Sequence, residues 1–277
     1  MKIAVTGGSG DMGRALLPYL LEQGHQVVSI DRALPPASGP LPGPGLNFMT
    51  ADVTDYGQVV ACLRGCQGVV HLAAHRSPAS APEPVVYTQN TGASYNVLFA
   101  AATLGIQRVV LASSINAIGG VFSTWPRYDY FPLDEQHPSY AEDPYSLSKW
   151  VLEQQGDAFA RRYGTLSIAS LRFHWLVDSR ERAQELSSRF PDGTIRHLWA
   201  YTLLPEAARA CLLGLTADFK GHEVFYITAP RTVAAEESAE LARQHFPQTP
   251  IRGDLPGQAG FFNCAKAERI LGWRHAE

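Results

Sequence analysis

Tyr145 and Lys149 stand four positions apart, the spacing that puts two side chains one turn apart on a single helical face. Asp143 and Pro144 precede them and make a good helix start, because a carboxylate can accept from free N–H groups and proline suits the first helical position. The chemistry open to such a pair is proton transfer. A phenol titrates near ~10 and is a poor base at neutral pH, but an adjacent ammonium favours the phenolate. A tyrosine so tuned can take the proton of an alcohol while hydride leaves its carbon, or return it to a carbonyl. The chain has four lysines and eleven tyrosines. Chance therefore supplies about 0.16 such pairs, and this one gains meaning only from what lies upstream.

Upstream, the apolar run Lys2–Thr6 ends in Gly7-Gly-Ser-Gly10-Asp-Met-Gly13, followed by the helical pattern of Met12, Leu16, Tyr19 and Leu20 and closed by Gly24. Strand, glycine turn and helix in that order form a dinucleotide cradle: glycine lets the backbone approach a pyrophosphate, whose charge then rests against helix N–H groups. The registers Gly7-x-x-Gly10-x-x-Gly13 and Gly8-x-Gly10-x-x-Gly13 both fit. Pro18 inside the helix predicts a kink or an irregular turn. The second strand, Gln26–Ile30, leads to Asp31, eighteen residues after Gly13. A carboxylate there can hold both adenosine ribose hydroxyls and repels a 2′-phosphate, so NAD is expected over NADP, with Arg32 as the counter-argument.

The remaining elements follow a βα alternation. Residues 33–45 read as an exposed Pro/Gly loop. A third strand at about Leu46–Thr50 leads to Asp52-Val53, and Thr54 is expected to cap a helix through about Leu63. Val69–Ala74 reads as a buried strand ending in small residues that let a ring approach, with His71 as an interior histidine. Residues 84–104 form a long helix rich in small side chains, which suits close helix packing, and it holds Asn90. Gln107–Ala112 is a fifth strand with Ser113 and Ser114 at its carboxyl end, where ligands of open α/β sheets bind. Residues 115–142, with Asn116, Trp125, Arg127, Tyr128, Tyr130, Asp134 and Glu135, have the length of a binding or lid loop. Leu166–Arg172 is a sixth strand. After it the alternation thins into an arginine-bearing stretch (Arg180, Arg182, Arg189, Arg196), a helix at Leu204–Leu215, a strand at Glu223–Ile227 and a helix at Ala234–Phe246.

The bulk properties exclude several classes. With 277 residues, 45% of them hydrophobic, one large α/β domain and a smaller lobe are accommodated. The formal net charge is −3 with no lysine-rich run, so neither nucleic acid nor an acidic membrane surface is expected as a partner. No apolar run reaches bilayer length, and a first strand at Lys2 leaves no room for a signal peptide; a cytoplasmic protein is expected. Cys62, Cys66, Cys211 and Cys264 are scattered and lack a histidine cluster, so reduced thiols and no metal are expected.

Taken together, Thr6–Gly13, Asp31, Asp52-Val53, His71–Ala74, Asn90, Ala112-Ser-Ser114, the Tyr145/Lys149 pair and Leu171-Arg172 resemble the extended short-chain dehydrogenase/reductases, in particular the NAD-dependent epimerase/dehydratase family. The resemblance covers most of the chain. It implies a Rossmann-type doubly wound parallel sheet at residues 1–172 carrying the site. Residues 173–277 would form a small α/β substrate lobe, with elements returning to the main domain. It also implies that Ser114 hydrogen-bonds the reacting oxygen, that Tyr145 is the general acid/base, and that Lys149 binds the nicotinamide ribose while lowering the tyrosine pKa. The cofactor-binding set would be Gly7, Ser9, Gly10, Asp11, Met12, Gly13, Asp31, Arg32, Asp52, Val53, Leu72, Ala73, Ala74, Asn90, Ala112, Tyr145, Lys149 and Phe173, with Asp52 and Val53 flanking the adenine. Substrate residues would be His75, Ser77, Asn116, Arg172 and His174. A two-fold homodimer through the Gly92–Leu104 and Tyr145 helices is implied as well.

The chain departs from many relatives after the Arg172 strand, where Phe173-His-Trp-Leu-Val-Asp178 replaces the usual Asn and Tyr-Gly-Pro run, and after Ser114, which lacks a Tyr-Gly. These departures shift the expected activity toward uronate-dehydrogenase-like relatives. The leading reading is an NAD-dependent dehydrogenase of a free sugar or sugar acid. The alternative is a nucleotide-sugar epimerase or dehydratase that keeps its NAD bound, with Arg180, Arg182, Arg189 and Arg196 available to a diphosphate. A third, from another class, is a non-catalytic dinucleotide-binding sensor, against which the joint presence of Ser114, Tyr145 and Lys149 argues.

Overall fold

The computed structural model describes residues 1–35 and 43–276; most of the expected Pro/Gly loop lies outside them. Strand β1 (Lys2–Thr6) leads into helix α1 (Asp11–Glu22), β2 (Gln26–Asp31), β3 (Leu46–Thr50), α2 (Tyr56–Leu63), β4 (Gly68–His71), α3 (Glu83–Leu104) and β5 (Arg108–Ser114). Then follow α4 (Pro144–Arg162), β6 (Ser167–Phe173), β7 (Leu176–Val177), α5 (Arg180–Arg189), α6 (Pro191–Arg196), β8 (Thr202–Leu203), α7 (Leu204–Thr216), β9 (Gly221–Ile227), α8 (Ser238–His245) and α9 (Ala265–Leu271).

Seven strands pair in the order β3-β2-β1-β4-β5-β6-β9, every pairing parallel. The strands read as continuous apolar runs because both faces are covered. Side chains alternate between two cores. Ile3, Val5, Val27, Val70, Val110 and Leu171 pack with Leu16, Leu20, Ala208, Cys211 and Leu271 of α1, α7 and α9. Ala4, Val28, Val69, Val109 and Ile168 pack with Val59, Leu63, Val97, Leu98, Leu152 and Phe159 of α2, α3 and α4. Chain order reverses between β1 and β4, so a crevice opens beyond their carboxyl ends.

A third core joins the loop after β5 to the last third of the chain, through Phe131, Leu133, Leu198, Tyr201, Tyr226, Phe246 and Phe261. Of residues 173–277, β9 lies in the main sheet and α7 and α9 lie in one of its helical layers. The parallel pair β7-β8, α5, α6 and α8 contribute instead to the third core.

Several local expectations are corrected. Helix α1 runs through Pro18, held by Leu16, Leu17 and Leu20, which are buried on either side of it. The cap of α2 is Asp55, whose carboxylate accepts from Gln58 N–H at 3.1 Å. Thr54 instead donates to Asp52 through both its amide and its hydroxyl. Strand β4 stops at His71, because Leu72–Ala74 turn out of the ladder toward the crevice. Ser113 and Ser114 belong to β5 itself, and the final long helix is only α8.

Candidate active site

The glycine turn is built as the sequence requires. Gly7 has φ +73°, and a Cβ there would lie 2.7 Å from Ala73 N; a Cβ on Gly13 would lie 2.5 Å from the Gly8 backbone. Only glycine allows strand, turn and helix to approach this closely. Gly10, at the start of α1, provides no side-chain cap, so the first amides of the helix are left for an anion. Ser9 stands behind the turn: its N–H donates to Asp31 Oδ2 at 3.0 Å and its hydroxyl to the Ala33 carbonyl. The other Asp31 oxygen accepts from Arg32 N–H at 2.7 Å. Two bonds thus aim the carboxylate at the end of β2 and leave lone pairs for ribose hydroxyls.

Two adjoining clefts run along the carboxyl edge of the sheet. The smaller, about 240 Å³, is lined by Asp31, Arg32, Asp52, Val53, Ala73, Ala74, His75 and Asn90, among others. The larger, about 620 Å³, is lined by Gly10 to Gly13, Ala112, Ser114, Asn116, Tyr145, Lys149, Phe173 and His174, among others. Gly7, Gly10, Leu72, Ala74 and Arg76 line both, so they form one groove shaped for an elongated ligand. Gly cradle, open helix end, aimed carboxylate and groove together fit a dinucleotide.

At the reactive end, Asp143 caps α4 by accepting from Tyr145 N–H at 3.0 Å and Ser146 N–H at 2.9 Å. Tyr145 is buried, with Phe122 edge-on at 5.7 Å. The Ser114 hydroxyl accepts from Asn116 N–H at 3.1 Å, leaving its own hydrogen for another oxygen. Lys149 Nζ donates to the Ala112 carbonyl at 2.7 Å and lies 5.7 Å from the Tyr145 ring centroid. Burial pushes Tyr145 above the usual phenol range, and the Ser114 hydroxyl offsets part of this. Burial also pulls Lys149 down to about 8, against the opposing pull of Glu153. The Lys149 ammonium faces the Ala112 carbonyl, and burial favours the neutral form of the Tyr145 phenol.

The expected substrate residues separate. Asn116 and His174 line the larger cleft, but both are tied up: Asn116 Oδ1 accepts from Val121 N–H at 3.0 Å, and both His174 nitrogens are bonded. His75 lies in the smaller cleft, its N–H on Asn90 and its ring on Gln89. Asn90 also donates to Ser148 of α4, so it ties two helices and a turn together beside the groove. Ser77 lines neither cleft and pairs with Ser80 within a single turn. Arg172 is the clearest correction. It is buried beneath the site, donating twice to Glu153 at 2.7 and 2.8 Å and once to Tyr226 at 3.1 Å. His71 sits in the sheet against the Thr6 hydroxyl, with burial holding it down to about 3.

Phe122, Trp175, Leu176, Phe190 and His197 also line the larger cleft. Phe122, Trp175, Phe190 and His197 lie between regular elements, and Leu176 in a strand of two residues, so no periodicity marks them in the sequence. The loop aromatics it did name turn elsewhere: Trp125 is 63% exposed against Phe246, and Tyr128 is in the third core. Among the described residues no group of three histidine, cysteine or acidic side chains is placed to hold a metal ion, and no helix is long and apolar enough to cross a membrane.

Residues 3–200 match the family model described as NAD dependent epimerase/dehydratase family. An L-arabinose 1-dehydrogenase (NAD(P)(+)) of Haloferax volcanii is 29% identical over 211 residues, covering 74% of this chain and 78% of that protein. A 3 beta-hydroxysteroid dehydrogenase/Delta 5-->4-isomerase of Mycobacterium tuberculosis is 31% identical over 164 residues, covering 56% and 43%. The chain spans between 43% and 78% of the length of the first three curated relatives it matches. Among solved structures, a UDP-glucose 4-epimerase of Thermotoga maritima superposes with TM-score 0.73 at 23% identity, over 99% of this chain and 93% of that one.

Proposed function

Because the chain belongs to the NAD dependent epimerase/dehydratase family, an enzyme family of the short-chain dehydrogenase/reductase type, we propose that it is an NAD-dependent dehydrogenase of a small, uncharged, phosphate-free sugar. The observation that carries this reading is that, among the described residues, Arg76 and Lys149 are the only arginine or lysine lining the larger cleft. Arg182 and Arg189 pair with Glu185 on the surface. Arg180 donates to the Thr232 carbonyl, and Arg196 to the Ser123 carbonyl. Arg76 pairs with Asp11 beside the glycine turn. A diphosphate or carboxylate would need a cationic partner, whereas Phe122, Trp175 and Phe190 offer flat apolar faces to a sugar ring. The arabinose dehydrogenase supports the sugar reading over a steroid, since its match takes in more of both chains.

Bound NAD supplies the hydride acceptor. Ser114 would hold the oxygen of the reacting carbinol. The phenolate of Tyr145, the form that burial disfavours and the Ser114 hydroxyl favours, would take the proton as the carbon is oxidised, and in the reverse direction the neutral phenol would donate to the carbonyl. Lys149, one turn along the same helix, would hold the nicotinamide ribose. Asp31 would hold the adenosine ribose, and the amides of α1 would hold the pyrophosphate.

The test mixes protein and free NAD with neutral sugars, sugar acids, nucleotide sugars and apolar ring alcohols, and follows NADH absorbance and product. NADH accumulating with a neutral sugar is the expected result, and Tyr145→Phe should lower that rate roughly 10²–10⁴-fold while cofactor still binds. Conversion of a nucleotide sugar without net NADH, or turnover confined to apolar alcohols, overturns the proposal.

A further inference from the structure

Trp175 and His197 stack face to face on the wall of the larger cleft, with centroids 4.4 Å apart and planes 17° apart. The backbone around His197 is pinned. Its carbonyl accepts from His174 Nε2–H at 2.9 Å. The Arg196 carbonyl accepts from the Tyr128 hydroxyl at 2.9 Å, and the Arg196 guanidinium donates to the Ser123 carbonyl at 2.8 Å. Trp175 N–H donates to His174 Nδ1 at 2.6 Å, which makes Nε2 the protonated nitrogen of His174 and fixes its tautomer. His174 therefore uses both nitrogens in the scaffold.

His197 uses neither. Among the described residues no hydrogen bond reaches its ring, and Nδ1 is enclosed without a partner. Nδ1 is thereby closed to a ligand in the cleft, which leaves Nε2 as the ring nitrogen that a hydroxyl can reach. The next two residues, Leu198 and Trp199, have φ of 54° and 51° and are buried. L-residues adopt that region only where the surroundings impose it, and such positions cluster at ligand sites. Burial holds the His197 imidazole down to about 4, so near pH 7 the ring is neutral and has one donor and one acceptor.

We infer that His197 is a specificity-determining residue of the cleft. Resting on the free-sugar reading above, its imidazole hydrogen-bonds a hydroxyl of the sugar other than the one oxidised, while Trp175 backs the ring. The stack and the imposed backbone hold the imidazole in one orientation, so the interaction selects for hydroxyl position and configuration. It takes no part in the proton transfer.

The experiment compares kcat/KM for the best neutral sugar and its monodeoxy analogues in wild type, His197→Phe and His197→Asn. In wild type one deoxy position should lose about ten- to a hundredfold. In His197→Phe the parent sugar should fall by a similar factor, mainly through KM, and the penalty for that same deoxy position should vanish. His197→Asn should restore part of the discrimination, and the NAD dissociation constant should be the same in all three proteins, which reports an intact groove. Deoxy penalties that persist unchanged in His197→Phe overturn the inference while the sugar reading stands. No turnover of any sugar by wild type removes the sugar reading itself, and the inference with it.

Discussion

The buried ion pair beneath the site is the feature whose removal has the most definite expected cost. Arg172 and Glu153 have side chains only 5% and 3% exposed. The carboxylate accepts two guanidinium bonds and a third from the Ser113 hydroxyl at 2.6 Å. Glu153→Gln keeps the shape and opens no cavity, but it leaves a buried guanidinium without a counter-charge. Breaking such a pair costs about 3–5 kcal/mol. With an unfolding entropy of roughly 2.1 cal/mol/K per residue, a chain of this length has about 0.6 kcal/mol/K, so Tm should fall by about 5–9 °C. Thermal unfolding followed by circular dichroism at pH 7 measures it. Adding Arg172→Gln should recover part of the loss, because the uncompensated charge is then gone. A shift of less than about 1 °C in the single variant would falsify the claim that this pair is desolvated and mutually dependent.

Lys149→Met should abolish turnover yet raise Tm at pH 7 by about 1–3 °C, since it removes a buried charge whose cost the folded state bears. The folded-state value near 8 lies below the ordinary 10.5, so the unfolded chain binds more protons between those values and wild-type stability rises with pH across that window. The advantage of the variant should accordingly disappear by about pH 10.5, and a constant difference from pH 7 to 10.5 would contradict the assignment. Asp31→Ala should weaken kcat/KM for NAD by about ten- to a hundredfold and narrow the gap to NADP, because it removes both a ribose acceptor and the repulsion of a 2′-phosphate. Steady-state kinetics with both cofactors checks this, and an unchanged ratio would contradict the role of the carboxylate.

The cofactor groove was legible because its constraints are local. Gly7 and Gly13 are demanded by backbone approach within one turn, Asp31 closes the strand that follows, and the Tyr145/Lys149 spacing is fixed by a single helix. The wall formed by Phe122, Trp175, Phe190 and His197 comes from stretches far apart in the chain, where no period or turn chemistry links one to another. Nor could residue types announce Leu198 and Trp199 at positive φ, a region that non-glycine residues rarely enter. Arg172 is the instructive failure. At the carboxyl end of a strand in a parallel sheet an arginine reads as a ligand for substrate, but strand register decides otherwise. Leu171 and Phe173 belong to the core shared with α1 and α7, so alternation sends the residue between them to the opposite face, under α4. The partner was already marked on that helix: Glu153 follows Lys149 by four residues, as Lys149 follows Tyr145. The same helical face therefore carries Tyr145, the proposed proton-transfer residue, at its start and, two turns on, the carboxylate that the buried arginine requires. That continuity explains why a strand-end cation beside the active site lies outside the cleft, and why its loss should register in stability.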